Sequence, residues 1–138
     1  MSPILLLDTE TTGLNPNIHE IVEIEARVLD DDLNVVDTFY RKIQPLRLDL
    51  AEKEAMNING YKQEVWATES VTPMAAYKDL AAWLKTHCDR FPMSKGRPAR
   101  AIVLGQNPGF DIAMIQQNAM RLAAIPIEFH YHQIDISI

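Results

Sequence analysis

Asp8 and Glu10 are carboxylates two positions apart, directly after the apolar run Ile4-Leu5-Leu6-Leu7. On an extended chain successive side chains point to opposite faces, so both acids project together from the end of a buried strand. Like charges so placed repel. A divalent cation supplies the compensating charge, and carboxylate oxygen suits the hard ions Mg²⁺ and Mn²⁺. A solvated acidic strand end is the other reading of the bare pair.

The elements that must hold these acids follow from hydropathy. Ile4 to Leu7 is a short continuous apolar run, the pattern of a central strand, and it leads into the polar turn around Thr11-Thr12-Gly13. Ile21 to Leu29 alternates apolar with charged residues, and Asp30 to Asn34 turns it into Val35 to Ile43, which predicts a hairpin. Thr72-Pro73 is an N-cap followed by proline at the first helical position, with Met74, Tyr77, Leu80 and Leu84 at helical spacing up to His87. Arg90 to Arg100, with Lys95 and Arg97, reads as an exposed basic loop, either solvated or in contact with phosphate. Ala101 to Gly105 is a second short strand. Phe110 to Ala124 is a helix with Ile112, Ile115, Ala119 and Leu122 on one face, and Phe129 to Ile138 a last strand. The fold class is therefore α/β, a mixed sheet in the order βββαβαβ with helices over it.

The 138 residues fit one domain, and 47% apolar with 23% charged residues excludes a disordered, collagen-like or coiled-coil chain. The single Cys88 forms no internal disulfide and matches no zinc-ligand spacing, so a reducing, cytoplasmic location is expected. No apolar run approaches a membrane span, and the N-terminus lacks the pattern of a signal peptide. A net charge of −6 argues against coating duplex nucleic acid through many phosphate contacts. It is compatible with an enzyme that grips one strand end through metals.

Asp8-Thr9-Glu10-Thr11-Thr12-Gly13-Leu14 resembles the first exonuclease motif of the DnaQ-like, or DEDD, 3′-to-5′ exonuclease family. Ile21-Val22-Glu23-Ile24 is similar to the apolar strand that follows it, with Glu25 standing where the family usually has a small residue. Ala55 to Gly60 resembles the family's short helix ending in an Asn-Gly or His-Gly turn beside the substrate, and Gly105 to Asp111 resembles the second motif, an Asn, two residues, Phe and the metal-binding Asp. The resemblance implies the ribonuclease-H-like sheet and phosphodiester hydrolysis at single-stranded DNA or RNA 3′ ends by two Mg²⁺ or Mn²⁺ ions. It makes Asp8, Glu10 and Asp111 the catalytic metal ligands. The motifs are neutral between DNA and RNA, none of them reporting on a 2′-hydroxyl.

The same resemblance places Thr11, Gly13, Leu14, Asn59, Asn107 and Phe110 at the substrate. Three of these also have a structural reading: Gly13 as a turn glycine, Asn107 as a helix cap, Phe110 as core. Trp66 and Trp83 read as packing residues, and His19 and His87 as surface or core residues.

The departure is the third motif, a His or Tyr followed by an Asp on a C-terminal helix. His130 and Asp135, or Tyr131 and Asp135, have that spacing but lie in a β-rich segment, which reads as the last strand of the fold. The chain stops at Ile138, before the helix that brings the fourth carboxylate and the general base. The expectations are therefore a domain incomplete at its C-terminus with the final helix absent, poor hydrolysis by the chain alone, and self-association through an uncovered sheet face. A non-catalytic nucleic-acid- or protein-binding module on the same fold is the alternative function.

Overall fold

Leu5, Leu7, Ile24, Ala26 and Val28 alternate with neighbours that point the other way. In a computed structural model describing residues 2–88 and 99–137 they are all buried in one core. The strands are β1 (Ile4–Thr11), β2 (Ile21–Leu29), β3 (Val35–Ile43), β4 (Ser70–Val71), β5 (Ile102–Gly105) and β6 (Gln133–Asp135). They form one sheet in the order β4-β3-β2-β1-β5-β6. The β2–β3 pairing is the predicted hairpin, β1 joins β2 antiparallel, and β5 runs parallel to both β1 and β6. This is the expected α/β order, with helices α1 (Lys53–Ile58) and α2 (Gln63–Glu69) and the short β4 inserted before α3 (Pro73–Cys88) and α4 (Pro108–Ala123).

Helices α3 and α4 cover one face. Ala76, Tyr77, Leu80 and Leu84 of α3 and Ile112, Ile115 and Ala119 of α4 join the strand residues in the core. Each fully buried large side chain contributes about 1.5–3 kcal/mol of transfer free energy. The α3 cap is as expected, with Thr72 Oγ1 accepting from the Ala75 N–H at 3.2 Å. Met74 does not belong to the packed stripe; it lies in the first turn and is 55% exposed. On the opposite face Leu6 and Leu104 are half-buried, and Ile134 and Ile136 are 42% and 50% exposed.

The C-terminal segment differs from the expected strand of ten residues. Ile127 and Phe129 are buried in the core, His130 N–H donates to Ala101 O at 2.9 Å, and only Gln133–Asp135 pairs with β5. Closing the end of the core uses Phe129, the first residue of the run that its β-rich composition assigned to a ladder. Arg90, Lys95 and Arg97 lie outside the described residues, and Arg100 pairs with Glu128 at 2.7 Å. Among the described residues no helix is long and apolar enough to cross a membrane.

Candidate active site

The β1–β2 register sets Asp8 across from Glu25 and Glu10 across from Glu23. Residues directly opposed on antiparallel strands share a face, and like charges so placed destabilise the sheet. Two such pairs stand side by side here. One partner of each is compensated. Glu23 Oε2 accepts from Tyr40 Oη at 2.6 Å, with Lys42 Nζ donating to that hydroxyl at 2.9 Å, and Glu25 pairs with Arg27.

Asp111 arrives from the other side of the sheet, in the first turn of α4, and is 7% exposed. Its Oδ1 accepts a 2.5 Å hydrogen bond from Thr9 Oγ1. Burial, reinforced by the charge of Asp8, pushes the Asp111 carboxyl up to about 6 against the opposing effect of Thr9. Burial also raises Asp8, together with Glu25 and Glu23, and raises Glu10, together with Asp8, Glu23 and Asp111. The three predicted ligands therefore lie in one electrostatic field, each holding its proton more tightly than usual.

Asp8 and Asp111 face a cavity of about 320 Å³ whose wall also includes Glu25, Arg27, Gly105 and Gln106, with Leu6, Leu7 and Ile136 as its apolar surface. Oxygen donors with uncompensated charge are the donor set of a hard divalent cation, and in that chemistry the residues fit such an ion. They are not drawn together as a finished ligand shell: among the described residues no three acidic, His or Cys side chains close on one point, and Asp111 is turned onto Thr9.

The proposed substrate residues divide into two groups. At the end of β1, Thr11 Oγ1 donates to Gly13 O at 2.8 Å, and Asn59 Nδ2 donates to Thr11 O at 3.0 Å. Asn59 ends α1 beside Gly60 (φ +75°) and is 4% exposed, so its amide joins α1 to the end of β1. A Cβ on Gly13 would lie 2.4 Å from the His19 ring, so that ring occupies the space beside the glycine. Leu14 is 72% exposed at the same loop, its N–H donating to Glu52 Oε1 at 3.0 Å. The second group opens α4. Asn107 sits left-handed (φ +50°) at the N-cap position, with no side-chain capping bond, and Phe110 is half-buried against the core.

Asp135 ends β6 and accepts from the N–H groups of Asn107 at 3.2 Å and Ser137 at 2.9 Å. His130 stacks on Tyr131 before β6 begins, the ring centroids 4.6 Å apart. Neither Asp135 nor His130 lines the cavity. The tryptophans pack, Trp66 Nε1 donating to Val22 O at 3.0 Å and Trp83 Nε1 to Asp37 Oδ2 at 2.9 Å. Sequence reasoning missed Thr9 and Arg27. The alternation of β2 was the available signal for Arg27, since it puts Glu23, Glu25 and Arg27 on the carboxylate face; only the fold reveals the partner of Thr9.

An exonuclease family model matches residues 5–90, a span that carries Asp8, Glu10 and Asn59. Ribonuclease T of Vibrio vulnificus is 25% identical over 131 residues, covering 91% of this chain and 58% of the relative. An oligoribonuclease of Corynebacterium efficiens is 26% identical over 144 residues, covering 97% and 58%. The chain thus spans little more than half the length of these curated relatives. Among solved structures, E. coli exonuclease I in complex with a 5cy-dA13 oligonucleotide superposes with a TM-score of 0.76 at 18% identity, over 99% of this chain and 28% of that one. Exonuclease I of Methylocaldum szegediense gives 0.74 at 20% identity, over 99% and 28%. These likenesses are of fold. The family match over most of the chain, on a ribonuclease-H-like sheet, establishes that the chain belongs to the DnaQ-like exonuclease family.

Proposed function

We propose that this chain is the metal-dependent domain of a 3′-to-5′ exonuclease that removes nucleotides from single-stranded DNA or RNA ends. The observation that carries the reading is geometric: Asp8 and Asp111 line one cavity, and Glu10 lies two residues beyond Asp8 on the same face of β1. These three side chains would hold two Mg²⁺ or Mn²⁺ ions. The chemistry such ions would supply is a lowered pKa for the attacking water and stabilisation of the leaving 3′-oxygen. Thr9 fixes Asp111 against the strand, Asn59 holds α1 to Thr11, and exposed Leu14 offers an apolar surface to the terminal base or sugar. Asn107, exposed at the start of α4 near Asp111, would face the strand, whereas Phe110 packs half-buried on the core. The oligonucleotide held by exonuclease I supports a single strand as the substrate.

No His or Tyr is among the described residues lining the cavity. That observation favours slow hydrolysis by this chain alone, since a positioned general base contributes about 10²- to 10⁴-fold. It also sustains the second reading, a binding module without catalysis. A 5′-labelled single strand incubated with the chain and Mn²⁺ separates the two. The exonuclease reading predicts a slowly descending ladder of products shortened from the 3′ end and abolished by Asp8→Ala. Strand binding with no shortening, or shortening that survives Asp8→Ala, contradicts it.

A further inference from the structure

Among the described residues lining the carboxylate cavity, only Arg27 is cationic. It stands two residues beyond Glu25 on the same face of β2, opposite Leu6, and its Nη2 pairs with Glu25 Oε1. Glu25 is itself the residue directly across from Asp8. The guanidinium is thus committed to Glu25 and not to Asp8, whose carboxylate stays available to a metal. The Arg27 side chain is 44% exposed, and a guanidinium has five donors in a planar fork, more than one carboxylate oxygen uses.

A polyanionic strand approaching a cavity edged by Asp8, Asp111 and Glu25, on a chain of net charge −6, meets repulsion unless cations offset it. Divalent ions on the carboxylates answer part of that. A guanidinium fork answers another part, because it matches two phosphate oxygens at once. We infer that Arg27 is the phosphate-binding residue of this cavity, contacting a nucleotide phosphate of the strand, and that Glu25 is a positioning residue that holds its guanidinium in place. This rests on the exonuclease reading and adds the side chain that takes the phosphate.

The test is equilibrium binding of a labelled, phosphorothioate-linked single strand in Mn²⁺ at several salt concentrations, with a nucleoside 5′-monophosphate as a second probe. Arg27→Ala weakens strand binding about 10- to 100-fold, the value of hydrogen bonds to a charged group. It also lowers the slope of log affinity against log salt by about 0.7, one phosphate contact on a single strand. Arg27→Lys keeps the slope and recovers only part of the affinity. Glu25→Gln weakens binding although it removes a negative charge, whereas relief of repulsion alone would strengthen it. If the monophosphate loses affinity in parallel, the contact is to the departing nucleotide; if only the strand does, it is to a retained phosphate. The Mn²⁺-induced rise in melting temperature survives in Arg27→Ala. Unchanged affinity and slope in Arg27→Ala, loss of that rise, or tighter binding by Glu25→Gln overturns the inference and leaves the exonuclease reading standing. Absence of Mn²⁺-dependent strand binding by the unmodified chain overturns the reading and the inference with it.

Discussion

Thr9 Oγ1 donates a 2.5 Å hydrogen bond to Asp111 Oδ1, joining residues 102 positions apart. Thr9 lies between Asp8 and Glu10 but points to the core side of β1, where α4 packs. One strand therefore presents two carboxylates on its outer face and anchors a third from its inner face.

Removing that donor should loosen the site without unfolding it. Thr9→Val is nearly isosteric, takes the hydroxyl donor away from buried Asp111, and is expected to lower Mn²⁺ affinity about 10- to 100-fold, as for other groups that orient metal ligands. Thr9→Ser restores most of it. Calorimetric titration with Mn²⁺ checks this, and equal affinity in Thr9→Val and the unmodified chain contradicts it.

The raised carboxylates give a signed pH dependence. Asp111 holds its proton up to about 6 in the folded chain and to near 4 when unfolded, so the folded state binds more protons in that window. Its contribution to metal-free stability is present at low pH and is lost as pH rises through about 6. Asp8 and Glu10 act in the same direction. Mn²⁺ competes with these protons, so the Mn²⁺-induced increase in melting temperature should grow as pH rises through about 6. An increase of the same size at about pH 5 and about pH 7.5 contradicts the assignment.

Much of this was legible in the sequence because it rests on local periodicity. The β2–β3 hairpin, α3 and α4 follow from apolar spacing and from the Thr72-Pro73 cap, and the outward pairing of Asp8 with Glu10 follows from strand geometry alone. Three features were not legible. The C-terminal run from Phe129 is rich in β-branched and aromatic residues, yet Phe129 closes the core and only Gln133–Asp135 pairs, a choice made by tertiary packing. The motifs bring Asp111 to the end of β1, but not the inward Thr9 hydroxyl that holds it. Asp8 and Glu25 are brought face to face by register, which no single segment encodes.

Gly13 tests how the loop after β1 is built. The His19 ring that fills the space beside it is fixed at both nitrogens, Nδ1 accepting from the Asn15 N–H at 3.0 Å and Nε2 donating to Leu50 O at 3.2 Å. Gly13→Ala forces that ring aside and should cost about 1–3 kcal/mol, the usual range for overpacking. A melting temperature lower by several degrees, partly recovered when His19→Ala is added, is the expected result. An unchanged melt contradicts the packing account.

The outer face of the sheet should drive self-association. Beside the carboxylate cavity, Leu6 and Leu104 are half-buried and Ile134 and Ile136 exposed, and apolar surface on a sheet face favours association. Light scattering is expected to show a mass that rises with concentration, and Ile134→Lys to return it to the monomer value. A monomer throughout the micromolar range contradicts this.

The central claim is that Asp8, Glu10 and Asp111 make one divalent-cation site, and thermal melts of Asp8→Asn beside the unmodified chain, each with and without Mn²⁺, test it most directly. Without metal the variant should be the more stable by about 0.5–2 kcal/mol, because one of the mutually repelling charges is gone. With Mn²⁺ the unmodified chain should gain stability in proportion to ion binding and the variant should not. Equal stabilisation of both chains by Mn²⁺ would contradict the account.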